Sequence, residues 1–224
     1  MTKIALLGRG KTGHKVLEVK DQESITVFHR DNLPTYEKLK EHDVILSFLP
    51  GEAFAQLIPL LVETRRPVVI GSTGLSWPVG LKEELLKNQL TWVYASNFAL
   101  GMNLVKEMIS LMGKADHIFK NNMNFDIHEV HHTKKVDAPS GTALSWKKWL
   151  GHEANITSER TGDVVGEHQI TLNTPFESIS LKHVAHDRKI FAQGALWACS
   201  KILEQKWNPG LWSFSELVRK ELLG

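Results

Sequence analysis

The chain has 224 residues, 42% of them hydrophobic and 23% charged, with 27 Lys+Arg against 25 Asp+Glu for a formal net charge of +2. That length holds one large domain or two modest ones, and a balance this mild, with no block of basic residues, argues against a nucleic-acid partner. The longest nearly apolar stretch, residues 53–62, is too short to cross a membrane, and a lone cysteine, Cys199, excludes an internal disulfide framework.

The first hundred residues alternate between short β-type runs and helix-type segments. Ile4-Ala5-Leu6-Leu7 predicts a strand that ends at Gly8, and residues 11–19 predict a helix. Residues 24–28 are rich in β-branched and aromatic side chains and predict a second strand, ending at His29-Arg30. A third strand spans residues 43–49 and is stopped by Pro50-Gly51. Phe54, Leu57, Ile58 and Leu61 then fall at helical spacing within residues 52–62. Residues 67–70 predict a fourth strand ending at Gly71, residues 81–86 a helix, and residues 92–95 a fifth strand. Several of these strands are continuous apolar runs, the signature of a parallel sheet covered by helices on both faces. The fold class is therefore α/β with a doubly wound sheet.

The pattern changes after Met102. A helix over residues 103–112 precedes residues 124–130, which alternate like a half-exposed strand. Further strands, expected to be antiparallel, fall at residues 168–173 and 178–183, with a helix over 142–150 before them. Residues 194–205 are helical again and lead back to the first domain. The expected division is 1–101 plus 195–224 for a Rossmann-type domain, with an inserted α+β domain over 102–194. The N-terminus leads straight into a strand, so no secretory leader is expected, and the default location is the cytoplasm.

Gly8-Arg9-Gly10-Lys11-Thr12-Gly13 is a G-x-G-x-x-G turn between the first strand and the first helix. Its glycines allow a tight turn, close approach of a pyrophosphate, and close helix–strand packing, while the helix N-terminus offers free N–H groups to phosphate. A P-loop would need glycine where Ala5 stands. The second strand ends in His29-Arg30-Asp31, where an acidic residue would usually hold the adenosine ribose. Arg30 there can pair with a 2′-phosphate, which favours NADPH over NADH. Gly71-Ser72-Thr73-Gly74 and Ala95-Ser96-Asn97-Phe98 follow strands at the same sheet edge and complete the candidate cofactor-binding set.

The run from Glu129 to Ala143, EVHHTKKVDAPSGTA, passes from a strand end through a cationic loop to a helix start capped by Ser140. Free N–H groups near Gly141 and Thr142, with His132 and Lys135 beside them, would make a socket for an anionic substrate. Other readings of the same residues stay open: metal binding by His128, His131 and His132, a solvated or nucleic-acid-binding loop, or a plain capped helix.

The pattern E-x-H-H-x-x-K-x-D-A-P-S-G-T-A resembles the signature of the 4-hydroxy-tetrahydrodipicolinate (dihydrodipicolinate) reductase family. The resemblance extends to the glycine-rich loop, residues 71–74, the segment from Asn97 to Leu104, residues 160–168 and residues 188–195. It implies that His131 is the proton donor or acceptor and Lys135 the second proton donor. It places His132, Ser140, Gly141 and Thr142 at the substrate's carboxylates, and Gly8 to Gly13, Gly71 to Thr73 and Ala95 to Phe98 at the cofactor. The implied reaction passes a hydride from NADPH or NADH to C4 of a cyclic imine dicarboxylate, in lysine and diaminopimelate biosynthesis. The inserted domain would then bind substrate and assemble a homotetramer, with the site in the cleft between domains. No resident metal is implied. Ser96 stands where the family often has proline, and the chain is short for the family, implying trimmed loops. The rival readings are another two-domain dehydrogenase, of the aspartate dehydrogenase kind, and a non-catalytic NADPH-binding protein.

Several residues read as structural. Ala143, Trp146, Trp149 and Leu150 recur at helical spacing, as a buried face would. Arg160 and Arg188 suit ion pairing, Asp137 suits orienting the loop beside Lys135, and Cys199 lies in an apolar run as an inert thiol.

Overall fold

A computed structural model describes residues 1–20, 22–119, 122–204 and 207–224. They divide into two compact units, 1–100 with 188–224 and 101–187. The return to the first unit falls at Arg188, upstream of residue 195 where the sequence places it.

The first unit contains β1 (Ile4–Leu7), α1 (Lys11–Val19), β2 (Ile25–Phe28), α2 (Tyr36–Leu39), β3 (Val44–Ser47), α3 (Gly51–Glu63), β4 (Val68–Ile70), α4 (Leu81–Lys87) and β5 (Thr91–Tyr94). The second unit carries α5 (Leu100–Gly113), α6 (Asp116–Phe119), β6 (Asn124–His131), α7 (Gly141–Leu150), β7 (Asn155–Arg160), β8 (Gly166–Asn173) and β9 (Ser178–Ala185). The chain then closes the first unit with α8 (Lys189–Leu203), β10 (Gly210–Ser213) and α9 (Phe214–Leu223).

Six parallel strands form the first sheet, in the order β10-β5-β4-β3-β1-β2. Successive residues of β1 and β3 point to opposite faces, and both faces are dry. Ile4, Leu6, Val44 and Leu46 pack with Ala195 and Ala198 of α8 and Leu217 of α9. Ala5, Leu7 and Ile45 pack with Phe54, Ile58 and Leu61 of α3 and Leu85 of α4. Each Ile, Leu, Val or Phe side chain among them, fully buried, contributes about 1.5–3 kcal/mol. Leaving β1, the chain builds β2 on one side and β3 on the other. That reversal opens a crevice at the carboxyl ends of the strands, where doubly wound sheets take ligands.

Two features of this unit differ from the sequence reading. β10 adds a sixth strand beside β5, a four-residue run whose part-buried edge position gives it no apolar period. The helix expected from residue 194 starts at Lys189, with Gly194 in its interior. A Cβ at Gly194 would overlap the carbonyl oxygen of Phe98, so this glycine serves helix packing and does not start a helix. The expected end of that helix, Gln205, lies outside the described residues.

The second sheet has the order β7-β6-β8-β9. β6 pairs antiparallel with β8, and β8 with β9, as expected, but β7 joins β6 in parallel, with α7 as the crossover. β7 escaped the sequence reading because its residues, NITSER, are largely exposed and carry no apolar alternation. Along β6, Phe125, Ile127, Glu129 and His131 share the buried face. Trp146 of α7 is fully buried and donates its indole N–H to Met102 Sδ at 3.2 Å.

Candidate active site

The crevice of the first unit is a cavity of about 790 Å³ at the carboxyl edge of the parallel sheet. Gly8, Arg9, Gly10, Lys11 and Thr12 line it, together with Arg30, Gly71, Thr73, Ala95, Ser96, Asn97 and Phe98. Gly13 and Ser72 do not. The three glycines of the turn have three separate reasons. Gly8 has φ +99°, a left-handed conformation that excludes ordinary side chains, and its N–H donates to the Phe28 carbonyl at 2.9 Å. A Cβ at Gly13 would overlap the Gly8 carbonyl oxygen, so Gly13 lets α1 press against the turn. A Cβ at Gly10 would meet nothing within 4 Å; the protein itself leaves that space open. Gly10 is also the N-cap of α1 and offers no side-chain cap, which leaves the helix N–H groups to an incoming phosphate.

The charged residues of the lining, Arg9, Lys11, Arg30 and Arg188, are all cationic. Asp31 is not among the lining residues; its side chain is 92% exposed and its carboxylate lies 3.5 Å from His29 Nδ1. Asn97 Oδ1 accepts the N–H of Ala99 at 2.8 Å, which holds the last cofactor loop in a turn. A dinucleotide with an anionic pyrophosphate fits this open, cationic cradle. His29, Phe48, Leu49, Pro50, Arg188 and Phe191 also line it and were not singled out as site residues. The end of β3 could have pointed to Phe48 to Pro50, since it abuts the same sheet edge. Arg188 and Phe191 fall in the 188–195 segment that shares in the family resemblance, which gave neither a role at the cofactor.

In the second unit, the end of β6 brings His131 to the buried face, 7% exposed. The loop after it is stapled down: His132 N–H donates to the Val164 carbonyl at 2.9 Å and Thr133 N–H to that of Gly162 at 3.2 Å. Lys135 Nζ donates to both carboxylate oxygens of Asp137, at 2.8 and 2.9 Å. That contact holds the Asp137 carboxyl below its usual range, with the Gly141 N–H helping. Ser140 caps α7, its Oγ accepting the Ala143 N–H at 3.1 Å, while Gly141 stays exposed at the first turn. His131, His132, Lys135, Ser140, Gly141 and Thr142 therefore fall on one strand end, its loop and the helix start that follows.

Beneath that loop lies a buried polar cluster that the sequence reading did not assign. Glu129 is fully buried, and its Oε1 accepts from Ser140 N–H at 2.9 Å, Ser158 Oγ at 2.8 Å and Arg160 Nη2 at 3.0 Å. Burial alone would raise its pKa; the hydrogen bonds from Ser140, Arg160 and Ser158 outweigh it and bring the carboxyl down to about 2. Its Oε2 lies 3.6 Å from His131 Nδ1 and 3.5 Å from His168 Nε2. Burial pushes His168 down to about 4, with His131 beside it adding to the fall. Burial also lowers His131, against the opposing pull of Glu129. A signal for this cluster existed, because Glu129 sits in phase with Phe125 and Ile127 where an apolar residue belongs.

The same geometry separates the histidines once grouped as possible metal ligands. His128 lies on the exposed face of β6, with Nδ1 2.8 Å from Thr157 Oγ1, opposite His131. Ligand atoms of Glu129, His131 and His168 do lie within 4.8 Å of one another, a spacing an ion could bridge. Arg160 already brings positive charge to that carboxylate.

The family model described as "Dihydrodipicolinate reductase, C-terminus" matches residues 101–218. The 4-hydroxy-tetrahydrodipicolinate reductase of Thermosipho africanus is 31% identical over 218 residues, covering 96% of each chain. That of Stenotrophomonas maltophilia is 37% identical over 180 residues, covering 79% of this chain and 73% of its own. Among solved structures, the dipicolinate-bound dihydrodipicolinate reductase from Paenisporosarcina sp. TG-14 superposes with a TM-score of 0.77 at 23% identity, covering 95% of this chain and 97% of the other.

Proposed function

The chain belongs to the dihydrodipicolinate reductase family, and from that premise we propose that it reduces 4-hydroxy-tetrahydrodipicolinate to tetrahydrodipicolinate in lysine and diaminopimelate biosynthesis, with NADPH preferred over NADH. The observation that carries this reading is the run from His131 to Thr142, which joins an imidazole, an ammonium and a helix N-terminus in one short loop. The reaction takes up one hydride and one proton and releases the 4-hydroxyl as water. A bound nicotinamide supplies the hydride. His131 and Lys135 supply the proton and stabilise charge as it develops on the ring. His132 and the N–H groups of Gly141 and Thr142 hold the carboxylates of the substrate, while Ser140, buried with its N–H and hydroxyl engaged inside the protein, shapes that socket as the α7 cap. Lys135 pairs with Asp137, and a substrate carboxylate at the same loop would compete for that ammonium.

The cofactor residues are Gly8 to Gly13, Arg30, Gly71 to Thr73 and Ala95 to Phe98. Gly13 acts by packing, and the others by contact or by loop shape. Support for NADPH comes from a lining whose charged residues are all cationic and from the outward position of Asp31. Among the described residues no helix is long and apolar enough to cross a membrane, and we place the protein in the cytoplasm. A homotetramer built through the second unit is supported by the exposed Phe176 and Ile179 of its β8–β9 hairpin.

The test is direct. The purified protein is mixed with NADPH and freshly generated substrate, and nicotinamide absorbance is followed. A substrate-dependent fall supports the reading; NADPH binding without any fall overturns it in favour of a non-catalytic binder. A rise with an amino acid and oxidised cofactor in their place points to the rival dehydrogenase.

A further inference from the structure

We propose that Glu129 is the positioning residue of this site: its Oε2 receives the Nδ1–H of His131, so that the proton given to substrate is the one on Nε2. This rests on the reading of His131 as the proton donor.

The argument is an accounting of buried donors and acceptors. Glu129 Oε1 is saturated by Ser140, Ser158 and Arg160. Glu129 Oε2 and His131 Nδ1 are both buried and neither has a hydrogen-bond partner. They are 3.6 Å apart, and a shift of about half an ångström makes the bond. The competing donor would be His168, which sits directly opposite Glu129 on β8. Its Nε2, however, faces Ser140 Oγ at 3.2 Å. That hydroxyl accepts the Ala143 N–H and keeps one hydrogen of its own; we assign that hydrogen to His168, with the Nε2 of a neutral imidazole as acceptor. His131 Nδ1 is then the N–H left for Oε2.

The opposite side of the ring agrees. A Cβ at Gly166 would lie 3.2 Å from His131 Nε2, so the strand facing that nitrogen carries no side chain where one would crowd it. A carboxylate beside Nδ1, and no side chain from Gly166 against Nε2, together select one tautomer. The same carboxylate holds the Ser140 N–H, which ties the proton donor to the α7 cap and the carboxylate socket through one buried group.

The charged groups facing His131 are Glu129 on its own strand, His168 on β8, Arg160 on β7, and Lys135 and Asp137 on the following loop; His183 faces His168 in turn. Of these, Glu129 raises the proton affinity of His131 most.

The test is Glu129→Gln in the full chain, nearly isosteric and still able to accept from Ser140, Ser158 and Arg160. We expect NADPH binding to hold, kcat to fall roughly 10²-fold or more with KM little changed, and activity to decline at lower pH than in the wild type. Nitrogen-15 shifts of neutral His131 in the wild type should show hydrogen on Nδ1. If E129Q does not fold, that spectrum and Gly166→Ala, which crowds Nε2 without touching Glu129, carry the decision: a neutral ring protonated on Nε2, or full turnover in G166A, overturns the proposal. A dead His131→Ala enzyme beside an E129Q enzyme with wild-type kcat and pH profile would also overturn it. A His131→Ala enzyme with full turnover would instead overturn the role of His131 itself.

Discussion

Replacing His168 by glutamine should remove a specific part of the acid sensitivity of the protein. Above pH 6.5 the imidazole is neutral in the folded and unfolded chains alike, and it adds no pH dependence. Between 6.5 and about 4 the unfolded chain binds a proton that the folded chain refuses, because burial and the neighbouring His131 depress His168. Stability therefore falls as pH falls through that window, and levels off for this group below about 4. At about 1.4 kcal/mol per pH unit, the gap from 6.5 to about 4 corresponds to roughly 3 kcal/mol. Glu129 acts in a lower window. Its carboxyl is depressed from 4.5 to about 2, so its contribution is complete above 4.5 and is lost as pH falls toward 2. Urea unfolding measured at pH 7, 6, 5, 4 and 3 would separate the two. The variant is expected to start from lower stability, since a glutamine amide packs less well than the imidazole against Trp146, and then to fall less steeply than the wild type down to pH 4.5, the remaining slope coming from the buried His131 and His183. A slope between pH 6.5 and 4.5 equal to the wild type would refute the account of His168 as a buried neutral imidazole.

Other outcomes follow from the same geometry. Gly10→Ala should fold like the wild type, since its Cβ meets no protein atom, yet bind NADPH at least ten-fold more weakly by calorimetry; Gly13→Ala should instead lose about 1–3 kcal/mol of stability, because its Cβ overlaps the Gly8 carbonyl. Arg30→Ala should raise the Kd for NADPH several-fold and leave that for NADH nearly unchanged; equal effects on both would remove Arg30 from 2′-phosphate recognition. Lys135→Ala should lower kcat by roughly 10²–10⁴ with NADPH affinity intact, and an unchanged steady-state rate would end its assignment as a proton donor.

How much of this could be read from the sequence depended on whether a residue's role was local. β1, β3 and β4 were legible because burial on both faces leaves apolar runs, and β2 and β5 because they are rich in β-branched and aromatic residues. The proposed catalytic loop stood out because its chemistry-bearing residues are contiguous from His131 to Thr142. β7 was not, since an exposed strand paired along one side has no apolar period to detect. β10 was missed for a related reason, being four residues long at the sheet edge. Arg188 and Phe191 reach the cofactor cavity through the path of α8, which no spacing announces. Glu129 and His168 are the instructive case. Each sits at a core-facing strand position, and a charge there needs partners; those of Glu129, namely Ser140, Ser158 and Arg160, are 11, 29 and 31 residues away in the chain.

Cys199 lies on α8 among the side chains that seal one face of the parallel sheet, 1% exposed, with burial pushing its thiol up to about 12. In the folded molecule it is chemically silent, and on opening it becomes an ordinary reactive thiol. As the chain's one sulfhydryl, it turns covalent labelling into a clock for opening of the nucleotide-binding half. Dinucleotide binding should slow that clock in proportion to 1 + [L]/Kd. Affinities for the phosphorylated and unphosphorylated coenzymes can thus be read with no substrate present, and even from variants that no longer turn over.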